Sequence, residues 1–204
     1  MNWEELILEA CAGKSPAFIS TATTGLKPET DELLGVCVTT LDEPGKQMLM
    51  LRLLPADRLA PAAEFHGITT STVDAHGVSD EELMDTLATV FDNHPVFTYN
   101  PAFQVDFLFK LLPREEALFN LPLLLKCANS RMTIELPANP DLLYMQVAAA
   151  RLVGQKVTFR QICSQFGVSD LDASKLPLER SLSMLLKLWE HLREFPAIVQ
   201  EIMF

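Results

Sequence analysis

The sequence predicts an α/β fold, a mixed β-sheet flanked by helices, and three observations carry that prediction. Three β-rich segments follow one another early, at Ala17 to Thr23, Leu33 to Thr40 and Gln47 to Leu53, with turn residues Lys27-Pro28 and Glu43-Pro44-Gly45 between them. The chain then switches to helical spacing after Ser79 and back to a short strand at Val96 to Tyr99. A further helix, Phe103 to Leu112, follows. A meander succeeded by helix, strand and helix makes a mixed sheet with helices laid on it.

Each element has a local reason. Residues 1–13 read as an N-terminal helix: Trp3, Leu6, Ile7 and Ala10 recur at helical intervals, Asn2 and Glu5 have approximate capping-box spacing, and Gly13 can stop it. Ser79-Asp80-Glu81-Glu82 is a helix start, with Leu83, Leu87, Val90 and Phe91 spaced three and four apart behind it, and His94-Pro95 ends that helix. After Pro113 the pattern is helical, with one candidate strand around Leu123 to Met132. Asp141 to Val153, Phe159 to Phe166 (closed by Gly167) and Leu178 to Phe195 (stopped by Pro196) read as helices. Residues 197–204 form an apolar tail that is expected to pack on its own domain or, less commonly, on a partner.

A chain of 204 residues suits one well-buried core, so 1–204 is read as a single domain. Apolar runs are broken by Pro and charged residues well short of a membrane span, and Met1-Asn2-Trp3-Glu4-Glu5 is acidic where an export signal would be basic. Cys11, Cys37, Cys127 and Cys163 are widely spaced, without zinc or redox pairing, which fits reduced thiols in a cytoplasmic protein. The net charge of -11 counts against a phosphate-gripping surface, since no cluster of Lys and Arg is visible to offset it. Acidity also has a plain use in keeping a protein soluble.

The motifs are more specific. Phe18-Ile19-Ser20-Thr21-Ala22-Thr23-Thr24-Gly25-Leu26 is an apolar strand ending in Thr-Thr-Gly-Leu. Phe65-His66-Gly67-Ile68-Thr69 follows, then Val96-Phe97-Thr98-Tyr99-Asn100-Pro101-Ala102-Phe103-Gln104-Val105-Asp106-Phe107-Leu108, and last Lys175-Leu176-Pro177-Leu178-Glu179-Arg180. In this order they resemble the 3'-5' exonucleases similar to the epsilon proofreading subunit of bacterial DNA polymerase III, which share a ribonuclease H-like fold. The resemblance covers roughly residues 16–194 and is more specific before about residue 112.

That family's first motif is Asp-x-Glu-Thr-Thr-Gly-Leu, and here the acids read Ser20 and Ala22. Its second, His-Asn-x-x-Phe-Asp-x-x-Phe-Leu, is matched at Asn100, Phe103, Phe107 and Leu108, with Gln104 at the metal-binding Asp. Its third, His-x-x-x-x-Asp, places Lys175 at the general base and Arg180 at the last acid. The resemblance therefore implies a degenerate site at Ser20, Ala22, Gln104, Lys175 and Arg180, with Thr23, His66, Tyr99, Asn100 and Phe103 lining the cleft and Ser20, Ala22 and Gln104 meeting in it.

Two-metal hydrolysis needs several carboxylates on hard cations and a base for the attacking water. None of the aligned positions supplies a carboxylate. Asp106 follows Gln104 by two residues, a rotation of about 200° on a helix, and Glu179 is about 100° from Arg180. Asp31 and Glu32 read as solvated turn acids. His191 lies sixteen residues beyond Lys175, about 24 Å along a helix. His66 reads as a residue that orders its turn, and His76 and His94 as surface turn residues.

The sequence thus favours a catalytically inactive exonuclease-like domain kept as a binding or scaffold module for a protein partner, in the cytoplasm. No cofactor or metal is expected, and Mg or Mn would enter only if Glu179, Asp106 or loop acids rebuilt a site for a diverged exonuclease. A non-cleaving binder of single strands or nucleotides is the remaining alternative, with Phe65, Tyr99 and Phe103 to stack bases. Those aromatics are more commonly core. Lys175 and Arg180 would also turn an anionic pocket cationic, suited to a phosphate or carboxylate, although turning both into solvent is the commoner outcome.

Overall fold

The computed structural model describes residues 14–43, 45–111, 118–120, 163, 167–169 and 172–194. In chain order the elements are β1 (Ala17–Thr23), β2 (Leu33–Thr40), β3 (Met48–Arg52), α1 (Ala56–Leu59), α2 (Ala63–His66), α3 (Thr70–His76), β4 (Gly77–Val78), α4 (Asp80–Asn93), β5 (Val96–Thr98), α5 (Pro101–Leu111), β6 (Leu118–Asn120) and α6 (Pro177–Glu194). The strands form one six-stranded mixed sheet in the order β4-β3-β2-β1-β5-β6. β1, β2 and β3 are the antiparallel meander, while β5 joins β1, β6 joins β5 and β4 joins β3 in parallel.

Side-chain alternation divides the core in two. Phe18, Cys37, Leu51 and Phe97 face α6, where Leu178, Leu182, Leu185 and Trp189 cover them. Ala17, Ile19, Val36, Val38 and Val96 face the other way, onto Leu83, Leu87, Val90 and Phe91 of α4 and Phe107 and Leu108 of α5. On the α6 side the rings of Phe18, Phe97 and Trp189 meet with centroids 5.6 to 5.8 Å apart, the distance at which tilted and edge-on pairs attract. This is the α/β architecture the sequence predicts, a ribonuclease H-like mixed sheet flanked by helices.

The helix starts follow the capping logic. Ser79 accepts from the Glu82 N–H at 3.1 Å, and Asp80, Glu81 and Glu82 place negative charge on the first turn of α4. Gly167 sits at φ 66°, and Val168 N–H reaches back to the Cys163 carbonyl at 2.8 Å, the left-handed stop that its glycine permits.

Several expectations shift. The third strand is Met48–Arg52, one residue shorter at each end, and β5 ends at Thr98 because the chain turns into α5 at Pro101, two residues before the expected start. Pro at a first helical position has no N–H to lose there, so it opens the helix instead of breaking it. α6 runs Pro177–Glu194. Three short helices, α1 to α3, and the edge strands β4 and β6 had no periodic signal, because each is four to seven residues or two to three residues long. The N-terminal helix, the Leu123 to Met132 strand, the 141 to 153 helix, most of the 159 to 166 helix and the tail lie outside the described residues.

Candidate functional site

The Thr23-Thr24-Gly25-Leu26 segment is a structural device. Thr23 Oγ1 donates to the Gly25 carbonyl at 2.7 Å, Thr24 N–H donates to the Glu32 carbonyl at 2.9 Å, and Thr24 Oγ1 accepts from Glu32 N–H at 2.9 Å. A Cβ on Gly25 would lie 2.3 Å from Asp31 Oδ2, so any side chain there would have to push the Asp31 carboxylate aside. Asp31 in turn accepts from Lys27 N–H at 2.7 Å, and Glu32 pairs with Arg58. The two turn acids are therefore engaged and half-buried, which corrects their reading as solvated.

Ser20 and Ala22 lie on the face of β1 that α6 covers, and both are buried. Ser20 stands opposite Cys37 of β2. Just past Ala22 the register slips, leaving Leu34 as an extra residue on β2, so Leu34 joins Cys37 in the α6-side core where regular alternation would send it to the other face. Lys175 and Glu179 approach the same place from the start of α6. Burial pushes the Cys37 thiol up to about 12, with the Glu179 carboxylate adding to that shift and the Lys175 ammonium opposing it. Both charges thus act at the position facing Ser20.

Glu179 is occupied. Its Oε2 accepts from Leu176 N–H at 2.8 Å, capping α6 from within. Arg180 sits half-buried in the first turn. The motif containing His66 arrives alongside: a Cβ on Gly67 would lie 3.4 Å from Pro177 Cδ. The turn after α2 and the start of α6 are in contact.

Gln104 corrects an expectation. It was to meet Ser20 and Ala22 in one cleft, but its Oε1 accepts from Thr98 Oγ1 at 2.7 Å. Because Phe18 pairs with Phe97, Thr98 alternates onto the face of Ile19 and Val96, opposite Ser20 and Ala22. Phe103, Phe107 and Leu108 on the same helix also pack into the α4–α5 core, so the helix presents Gln104 to that side. Asp106 is exposed on α5.

His66 is buried and fully used. Nδ1 accepts from Ile68 N–H at 2.9 Å, so the ring proton belongs on Nε2, which lies 3.1 Å from both the Leu59 and Pro61 carbonyls. It braces the α1–α2 turn. His76 is exposed at the end of α3, and His94 is half-buried, its Nδ1 donating to the Ser15 carbonyl at 2.8 Å. Asn100 uses its carbonyl to accept from Phe103 and Gln104 N–H groups at 3.1 Å, opening α5. Tyr99 packs on the α6-side core and Phe103 on the other, whereas Phe65 is 74% exposed and no part of either.

These residues do not fit a pair of divalent cations. The aligned positions offer a hydroxyl, a methyl, an amide, an ammonium and a guanidinium, and among the described residues no three His, Cys, Asp or Glu side chains gather as a metal site would require. The capping role of Glu179 and the place of Cys37 were missed from the sequence. The first had a signal in the three-residue spacing from Leu176 to Glu179; the second needed the strand register.

The fold is exonuclease-like. No protein-family model matches the chain, and no curated protein matches it in sequence. Among solved structures it is similar to an exonuclease I (TM-score 0.57, 15% identity, 87% of this chain and 43% of that one). It is similar also to the exonuclease I of Methylocaldum szegediense (0.56, 16%, covering 85% and 40%). A third is a chain in the structure of the yeast NOT1 MIF4G domain co-crystallised with CAF1 (TM-score 0.56, 13% identity, covering 92% of this chain and 83% of that one). The chain spans less than half the length of the exonuclease I chains. Identities this low speak for the fold alone. Among the described residues no helix is long and apolar enough to cross a membrane.

Proposed function

We propose that this chain is a catalytically inactive relative of the epsilon-type 3'-5' exonucleases, retained in the cytoplasm as a binding or scaffold module for a protein partner. One observation carries the reading: the sheet face that would hold catalytic carboxylates presents Ser20 and Ala22, and Glu179, whose charge reaches Cys37 on that face, is committed to capping its own helix. Magnesium gives up its water reluctantly and needs anionic oxygens to replace it, and Lys175 and Arg180 would repel it instead. The buried free thiols of Cys37 and Cys163 agree with a reducing compartment.

A single-strand binder would need exposed aromatics for stacking, and with Tyr99 and Phe103 packed inward only Phe65 of the three is available. The test of the inactive reading is incubation of the purified chain with labelled single-stranded DNA and RNA in Mg2+ or Mn2+. The expected outcome is no 3'-5' degradation above background. Metal-dependent degradation abolished by Glu179→Ala or Asp106→Ala would replace this reading with a rebuilt-site exonuclease.

A further inference from the structure

The segment between β3 and α3 is apolar and turned outward. Leu53 is 61% exposed and Phe65 74%, and between them Pro55, Ala60, Pro61 and Ala63 are exposed as well. Scattered exposed apolar residues are ordinary, but a run of them in one short segment marks a contact surface.

The segment is also held rigid. His66 ties the Leu59 and Pro61 carbonyls to one buried ring, and Ala62, the one non-glycine with positive φ among the described residues, sits at φ 58° between α1 and α2. That conformation costs an L-residue about 1–2 kcal/mol, and such strain is kept where the surrounding structure fixes it. A preformed surface loses little entropy on binding.

Its charges choose the partner. Arg58 is paired with Glu32, leaving Asp57 and Glu64, both exposed and without an ion pair among the described residues. A chain of net charge -11 repels a second copy of itself and acidic partners alike. We propose that the strip from Leu53 to Phe65 is the docking surface for a peptide segment whose apolar side chains are flanked by Lys or Arg. This rests on the binding-module reading and gives that module its face and the chemistry of its partner.

The experiment is selection of displayed twelve-residue peptides on the full chain, followed by titration of the selected peptides and of a labelled oligothymidylate. Phe65→Glu and the pair Asp57→Lys with Glu64→Lys are the variants, all at exposed positions, with thermal melts to confirm that they fold. The expected peptides carry aromatic or aliphatic residues beside Lys or Arg. They should lose at least about tenfold in affinity to either variant, as expected of an anchor and its steering charges. Selection of no peptide, of acidic peptides, or of peptides indifferent to both variants overturns the proposal. So does oligothymidylate binding that Phe65→Glu abolishes, or a dimer in light scattering that Phe65→Glu dissolves. A strip that proves idle leaves the inactive reading standing if the nuclease assay is blank, whereas metal-dependent hydrolysis removes that reading whatever the peptides do.

Discussion

Thr98 and Gln104 share a 2.7 Å hydrogen bond between two buried side chains, on the opposite face of the sheet from Ser20 and Ala22. Position 104, which the family resemblance aligns with a metal-binding acid, thereby belongs to the second core. Gln104→Leu leaves the Thr98 hydroxyl buried and unpaired, as Thr98→Val does for the Gln104 amide, and each is expected to cost about 1–3 kcal/mol. The Thr98→Val, Gln104→Leu double variant should cost clearly less than the sum, because both polar groups leave together. Urea denaturation of the four proteins measures the coupling, and strictly additive losses would mean that the bond contributes nothing.

His66→Ala removes an acceptor for Ile68 N–H and a donor to two carbonyls, leaving buried backbone groups without their partner. A loss of about 1–3 kcal/mol is expected, with faster proteolysis confined to the α1–α2 turn. An unchanged melting temperature would remove the brace from the account.

Cys37 makes the fold sensitive to alkali. Unfolded, its thiol ionises near the ordinary value of about 8.5; folded, burial holds the proton up to about 12. Below about pH 8.5 both states are protonated and Cys37 adds no pH dependence. As pH rises between the two values the unfolded state loses its proton first, so stability falls. Cys37→Ala should flatten that decline, while Cys163, pushed up to about 11, contributes its part in both proteins. Native Cys37 should also resist thiol reagents at pH 8 until urea unfolds the chain. Rapid labelling of the folded protein would contradict its burial.

The meander and α4 were legible because their patterns are long. β1 and β2 have their bounds written in apolar runs closed by turn residues, and Leu83, Leu87, Val90 and Phe91 of α4 all fall on the buried side that their spacing implied. The motif letters placed Ser20 and Ala22 on one strand face, since period-two alternation makes residues two apart neighbours. They could not place Gln104, whose direction depends on how α5 rolls against the sheet. That roll is set by Phe103, Phe107 and Leu108 burying themselves with α4, a tertiary preference that no local pattern encodes. Phe65 shows the reverse failure: aromatics are usually core, and its exposure follows from His66 next to it taking the inward position.

Installing acids at the aligned positions tests the geometry more severely than any deletion. Ser20→Asp, Ala22→Glu and Arg180→Asp would place three carboxylates on the α6 side of the sheet, and Lys175→His would remove a repelling charge. Buried carboxylates without a cation are costly, so this quadruple variant should be less stable than the parent in metal-free buffer. Mn2+ should then restore stability by binding only the folded state. At a metal concentration a hundredfold above the dissociation constant the gain is about 2.7 kcal/mol, or about 5–10 °C in melting temperature for a chain of this size. Adding Gln104→Asp should change Mn2+ affinity by less than about tenfold, because Thr98 holds that side chain on the other face. Combining it with Thr98→Val should leave Mn2+ affinity within the same limit, because the packing of Phe103, Phe107 and Leu108 keeps position 104 on that face with or without the hydrogen bond. Calorimetry on this series separates the possibilities: a large gain from Gln104→Asp alone would mean that the side chain swings across to Ser20, and that the Thr98 bond does not fix its direction.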